Sequence, residues 1–236
     1  MLDVKLEKRI HGILPLKDES WQIVVIVGRS GSGKTTIAKN IVYCPRCGYI
    51  TVRPDLDAEA SFFCEKCIKK DGFQSLMVSG YIGNFEYTHK CFLDDFPQEL
   101  ETGEITKMLC SVGFASPPDW LKSYDCLSQG EKMRVDIARA LYLNQNLIVF
   151  DEFTSVVDRE IAKVSAYAIS KAVRRSQKKF IAVTCHYDVL DWLDPDWDFS
   201  TDIMESERKK ELGRPLNLKF IGAALPCGKY FGNIII

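Results

Sequence analysis

Nowhere in the 236 residues does an apolar run approach the roughly 18 residues that a membrane-spanning helix requires, so no spanning segment is expected. The amino-terminal stretch MLDVKLEKRIHG spreads its charges and has no apolar core, which argues against a secretory signal peptide. An excess of one charge is missing as well. With 31 Lys and Arg against 32 Asp and Glu, the formal charge is −1, so no overall field draws the chain onto nucleic acid or an acidic membrane. Any such contact has to come from a local patch. Internal repeats and low-complexity tracts are also absent. What remains is an ordinary globular composition, 46% hydrophobic and 27% charged, long enough for one substantial domain with a small insert or tail.

Cysteine, by contrast, is plentiful at nine residues. Four form two C-x-x-C pairs, and the others (Cys91, Cys110, Cys126, Cys185 and Cys227) are scattered and odd in number. This distribution fits a reducing compartment with one metal site better than a disulfide framework, and the expected location is cytoplasmic.

Gln22 to Val27 (QIVVIV) is a Val- and Ile-rich run of the kind that forms a strand buried on both faces of a parallel sheet. Similar runs recur at 147–150 (LIVF) and 180–184 (FIAVT). Between those two, 161–175 repeats its apolar residues every three or four positions and predicts an amphipathic helix. Strand, helix, strand is the grammar of an α/β domain.

Directly after the first strand, Gly28-Arg29-Ser30-Gly31-Ser32-Gly33-Lys34-Thr35 fits G-x-x-x-x-G-K-[ST] in full, with Thr36 beginning the next turn. Its glycines let successive N–H groups turn inward around a phosphate, and the following helix aims its positive end at the same place. Lys34 is expected on the β- and γ-phosphates of ATP, and the Thr35 hydroxyl on Mg²⁺. The run LIVF ends at Asp151-Glu152, where a carboxylate closing a parallel strand sits beside such a loop. Asp151 is the expected Mg²⁺ ligand and Glu152 the general base for an attacking water.

Upstream stands Leu127-Ser128-Gln129-Gly130-Glu131, and downstream Ser155-Val156-Val157-Asp158 and Thr184-Cys185-His186. In this order and spacing the motifs resemble those of the ABC ATPase family over roughly residues 20–200. LSQGE is similar to its signature, DE to the end of its Walker B strand, SVVD to its D-loop and His186 to its switch histidine. The resemblance implies a P-loop NTPase fold of ABC type with a helical signature subdomain. It also implies ATP hydrolysis in a head-to-tail homodimer, where Ser128, Gln129, Gly130 and Asp158 of one copy complete the other's phosphate site. His186 would contact the γ-phosphate beside Glu152 and Lys34.

The family's glutamine loop has no obvious match. Gln74 and Gln98 are the nearest glutamines, and Asp94 or Asp95 is an alternative donor on the metal side. No aromatic is singled out for stacking on adenine: Trp21 stands near, and the alternative is that it simply begins the first strand. The stretches SVGFASPPDWL, DEFTSVVDR and VTCHYDVLDWLDPDW resemble a narrower soluble group often fused to a predicted acetyltransferase domain. Only about 20 residues follow Arg214-Pro215, so an acetyltransferase is expected as a separate partner, or not at all.

Cys44, Cys47, Cys64 and Cys67 make C-x₂-C-x₁₆-C-x₂-C, the spacing of a closed four-cysteine zinc site. Such a site is structural, so Zn²⁺ would hold an insert with no core of its own. A redox-active C-x-x-C and an iron–sulfur cluster are the competing readings. The ATPase domain is expected at 1–43 and 72–205, a zinc-ribbon-like module without helical period at 44–71, and a tail at 206–236. Arg46, Arg53, Lys66, Lys69 and Lys70 suggest a basic module and a nucleic-acid partner, although a solvated face or a protein contact explains them equally well. Two functional readings follow. One is a soluble ATP-driven switch on nucleic acid or protein; the other is the nucleotide-binding subunit of an ABC membrane transporter. An ATP-gated scaffold without turnover is disfavoured by Glu152.

Overall fold

Ile23–Val27 (β1) is buried at every position, since both of its faces are covered. The computed structural model describes residues 14, 16, 20–53, 62–83, 85–143 and 145–208. Cys227 and the tail from 209 onward lie outside them. Burying a Val or Ile side chain contributes about 1.5–3 kcal/mol, which makes β1 the costliest strand to interrupt. It lies inside a sheet with Leu147–Phe150 (β5), Lys179–Thr184 (β6), Trp197–Ser200 (β7) and Glu205–Arg208 (β8), in the order β5-β6-β1-β7-β8. The first four strands run parallel, and β8 pairs antiparallel on the edge.

Alternate residues of β1 serve two cores. Ile23, Val25 and Val27 face Thr102–Ser111 (α3), Gln129–Tyr142 (α5) and Arg159–Arg175 (α6), the short helix Pro117–Trp120 (α4) falling between α3 and α5 in the chain. Val24 and Ile26 pack with Trp197, Phe199 and Ala38 of Lys34–Asn40 (α1). The predicted helix at 161–175 is the body of α6. Asp158 caps it by accepting the Glu160 and Ile161 N–H groups, and Ala162, Ala166, Ile169 and Val173 form its buried stripe. A parallel sheet covered on both faces is the α/β nucleotide-binding fold that the sequence predicts.

The chain leaves α1 straight into a second, antiparallel sheet, β3-β2-β4, made of Ile41–Tyr43 (β2), Ile50–Val52 (β3) and Val78–Ser79 (β4). Between β3 and β4 a seven-residue helix, Glu65–Asp71 (α2), follows Cys64. The sequence reading sees no helix here because two turns are too short to show a period. The local signals are nonetheless present. Glu65 occupies the first turn, Lys69 and Lys70 the last, and Gly72 at φ 74° ends the helix in the left-handed region.

Candidate nucleotide site and cysteine cluster

Strand register gathers the site. Val27 pairs with Thr184 and Ser200, and Phe150 with Ala182, so the residues that follow each strand emerge together at the carboxyl edge. These are Gly28, Cys185-His186, Thr201-Asp202 and Asp151-Glu152. A cleft of about 280 Å³ opens there, lined by Ser30, Gly31, Gly33, Lys34, Thr35, Thr36, Asp151, Glu152, Ser155 and Thr184. The Lys34 ammonium folds across the loop and donates to the carbonyls of Gly28 and Arg29, both at 2.7 Å. Ser32 Oγ and Thr201 Oγ1 lie 2.6 Å apart and tie the loop to the end of β7. Asp202 accepts the Arg29 N–H at 3.2 Å and the Tyr187 hydroxyl at 2.8 Å, and these partners hold its carboxyl below the usual range.

Asp151 Oδ1 accepts the Glu152 N–H at 2.9 Å. Glu152 and Thr154 have φ of 51° and 63°, a left-handed backbone that non-glycine residues adopt at a cost of about 1–3 kcal/mol each and that concentrates at working sites. Thr35, Asp151 and Glu152 also line a second, adjoining cleft with Lys39, Tyr81, Gly83 and Asp136. Tyr81 comes from a segment laid along β5, with Val149 N–H bonded to Gly80 and Ile82 N–H to Val149. Gly80 permits this approach, since a Cβ there would stand 2.7 Å from Leu147. The Tyr81 hydroxyl reaches Asp151 Oδ2 at 3.4 Å; burial, then the facing carboxylate, raises its pKa and keeps it a donor. Sequence reasoning missed this residue, because a tyrosine in a loop carries no motif.

Neither Gln74 nor Gln98 lines either of these clefts. The expectation that Asp94 or Asp95 serves the metal side fails. Asp95 turns away to accept His89 Nδ1 at 2.7 Å and the Thr88 N–H at 3.0 Å, and both aspartates line a different depression. Trp21 is 3% exposed, packed edge-on against Trp197 with Lys179 over its ring, and so has no face left for adenine. His186 follows β6 half-buried, its N–H on Thr184 Oγ1 at 3.1 Å, and it is Cys185 that lines the cleft.

Ser128, Gln129 and Gly130 stand apart from the phosphate loop. Ser128 caps α5 in a reciprocal box with Glu131: Ser128 N–H donates to Glu131 Oε2 at 2.7 Å, and Glu131 N–H to Ser128 Oγ at 3.4 Å. Ser128 and Gln129 are exposed, whereas Gly130 is buried against Val157 and Ile161. Asp158 is exposed at the start of α6.

The four sulfurs of Cys44, Cys47, Cys64 and Cys67 lie within 4.8 Å of one another. Cys44 and Cys67 are 3.8 Å apart, and Cys47 and Cys64 3.6 Å. Burial opposes ionisation of Cys44, but contacts from Ser75 and from the Cys47 and Arg46 backbone bring its pKa down to about 6. Burial and the neighbouring sulfurs push Cys67 up to about 12. The basic reading of this module does not hold. Within 44–71, Asp55, Asp57, Glu59, Glu65 and Asp71 balance the five cations one for one. Arg46 is paired with Asp71 at 2.9 Å and lies over Phe73, and Lys69 faces Glu65 at 3.7 Å.

The ABC transporter family profile matches residues 15–155. The L-cystine transport system ATP-binding protein TcyN of Escherichia coli K12 is 34% identical over 167 residues, covering 64% of each chain. The methionine import ATP-binding protein MetN of Nocardia farcinica is 29% identical over 195 residues, covering 78% of this chain and 57% of its own. At 64% and 57%, the chain spans less than two thirds of either relative's length. Among solved structures, the dimeric form of MJ0796, a bacterial ABC transporter cassette, superposes with a TM-score of 0.51 at 19% identity, covering 76% of this chain and 80% of that one. Its post-hydrolysis form bound to ADP and Pi gives 0.52 at 18% identity, covering 79% and 85%.

Proposed function

Because the chain belongs to the ABC transporter family, we propose that it is an ATP-binding cassette that hydrolyses Mg-ATP between two head-to-tail copies of itself. The observation that carries this reading is the division of the site. The phosphate loop, Asp151 and Glu152 line one cleft, while Ser128 and Gln129 stand exposed at the start of α5, outside that cleft. A second copy brings the missing half, and twofold symmetry closes both sites at once.

Lys34 would leave the loop carbonyls for the β- and γ-phosphates. Thr35 and Asp151 would hold Mg²⁺, which neutralises charge on the phosphates. Glu152 would orient and polarise the attacking water, His186 would meet the γ-phosphate, and Asp158, Ser128 and Gln129 would face the partner copy, with Gly130 packed behind them. A transport assembly is the favoured partner, supported by relatives named as ATP-binding proteins of amino-acid uptake and by the absence of net charge on the cysteine module. Neither the relatives nor the site supports a nucleic-acid or acetyltransferase partner.

The cysteine module fits zinc. A tetrahedron with Zn–S of about 2.3 Å sets the sulfurs about 3.8 Å apart, close to the observed 3.6 and 3.8 Å. Zinc would supply a cross-link among the four thiolates and no open coordination position.

The test is Glu152→Gln. Turnover should vanish while light scattering shows a dimer that forms with ATP and persists. Undiminished hydrolysis in that variant would overturn the assignment of the base, and ATP binding without any dimer would overturn the paired site.

A further inference from the structure

Between the nucleotide cleft and the exposed signature lies a polar cluster that the reading above leaves unused. Asp136 is half-buried two turns into α5. Its Oδ1 accepts the Tyr87 hydroxyl at 2.8 Å and its Oδ2 the Tyr124 hydroxyl at 2.7 Å. The two rings are stacked, 3.8 Å between centroids and 5° from parallel. One turn on, Arg139 lies 4.8 Å over Tyr87 and donates to the Glu86 carbonyl at 2.9 Å.

The chain positions of the three residues give the cluster its meaning. Tyr87 follows by six residues the Tyr81 whose hydroxyl reaches Asp151. Tyr124 opens the turn that leads into Ser128, and Asp136 sits on the helix that Ser128 caps. Asp136 also lines the adjoining cleft with Tyr81, Asp151 and Glu152. One carboxylate therefore joins the segment passing the metal side, the approach to the signature, and the signature helix itself.

We propose that Asp136, Tyr87 and Tyr124 form a positioning node, through which the state of the nucleotide cleft sets how Ser128–Gly130 is presented to the second copy. The inference rests on the head-to-tail reading above. Packing alone does not call for this arrangement. Burying a carboxylate is costly, and apolar side chains of similar size would hold the helix without that cost. Two directional hydrogen bonds from stacked, stiff rings instead fix one relative placement of three segments and resist sliding. Burial raises the Asp136 carboxyl, and the Tyr124 and Tyr87 hydroxyls work against that rise.

Tyr87→Phe and Tyr124→Phe each remove one hydroxyl and keep the stack. Each variant should remain folded at the assay temperature, its melting temperature lower by about 3–12 °C, and should keep its affinity for a fluorescent ATP analogue. Turnover at saturating ATP should fall about tenfold, the scale of one lost hydrogen bond to a charged group. The double variant should fall no further than the weaker single, because one broken link already frees the helix. Single variants with kcat within about twofold of wild type overturn the node. So do losses that multiply in the double variant, or losses that vanish when turnover is normalised to folded protein. Should a tyrosine variant fail to fold, Asp136→Asn replaces it with the same expectation. Wild-type turnover abolished by Glu152→Gln separates this test from the ATPase reading. If wild type shows no turnover, that reading fails by itself, and ATP-dependent self-association of the same variants then decides the node.

Discussion

Gly28→Ala places a methyl where β1 turns into the phosphate loop. The added carbon would stand 2.1 Å from Thr201 Oγ1, 3.1 Å from Ser32 Oγ and 3.3 Å from Thr201 Cβ. Thr201 is poorly placed to retreat. It is 2% exposed, its N–H donates to the Val27 carbonyl at 2.8 Å, and its hydroxyl is engaged by Ser32. Overpacking of this kind costs about 1–3 kcal/mol, and the φ of 156° at Gly28 adds to it. For a chain of this length that loss lowers the melting temperature by about 2–12 °C. Urea denaturation of Gly28→Ala, Thr201→Ala and the double variant isolates the contact. Removing Oγ1 takes away the closest atom, so the double variant should be more stable than the two losses added together, by about 0.5–3 kcal/mol. ATP affinity should fall with stability in the single variant, because Ser32 lies inside the loop. A Gly28→Ala protein as stable as wild type, or losses that simply add, would refute the reasoning.

Cys47→Ser should abolish stoichiometric zinc, measured by atomic emission on protein purified without chelator, and should expose the module to protease. One zinc per chain surviving that substitution would exclude the four-sulfur site. Asp196 holds the entry to β1, accepting the Gln22 and Ile23 N–H groups at 2.6 and 2.9 Å and Arg174 at 2.8 Å. Burial raises its carboxyl, but Arg174 and the two N–H groups outweigh it and leave the folded pKa below the usual value. Its contribution is therefore complete above the unfolded value of about 3.9 and is lost as pH falls through the lower folded one. Asp196→Asn should cost about 1.5–3 kcal/mol at pH 7, and the deficit should shrink below about pH 3.9. A deficit independent of pH would contradict this account.

The parts legible from sequence were those with a strong local code. The fully apolar β1 and β5, the apolar centre of β6, the heptad-like stripe of α6 and the glycine loop are each dictated by neighbouring residues. Strand β7 was not legible. Its residues, Trp197-Asp198-Phe199-Ser200, form too short a run and carry an acid at the centre, and pairing to β1 and β8 makes them a strand. The same holds for Tyr81, which lines the adjoining cleft because its segment lies along β5, and for Asp202, which meets the phosphate loop because β7 ends beside it. The basic reading of the cysteine module failed for a simpler reason. The cations cluster near the cysteines and attract notice, while the balancing acids Asp55, Asp57 and Glu59 sit in the stretch between the two pairs.

The pairing of β2 with β4 has a further consequence. Val42 lies opposite Ser79 and Tyr43 opposite Val78, so the chain departs for the cysteine cluster and comes back at neighbouring positions. The excursion is held at more than its two feet, since β3 within it pairs with β2 and buries Ile50 in the core that Val24 and Ile26 share. The module is thus anchored through all three strands of the small sheet. Each foot also leads quickly to the phosphates, one through α1 and the other through Gly80 and Tyr81. Whatever strains the module therefore pulls first on the two segments that border the phosphate loop and Asp151.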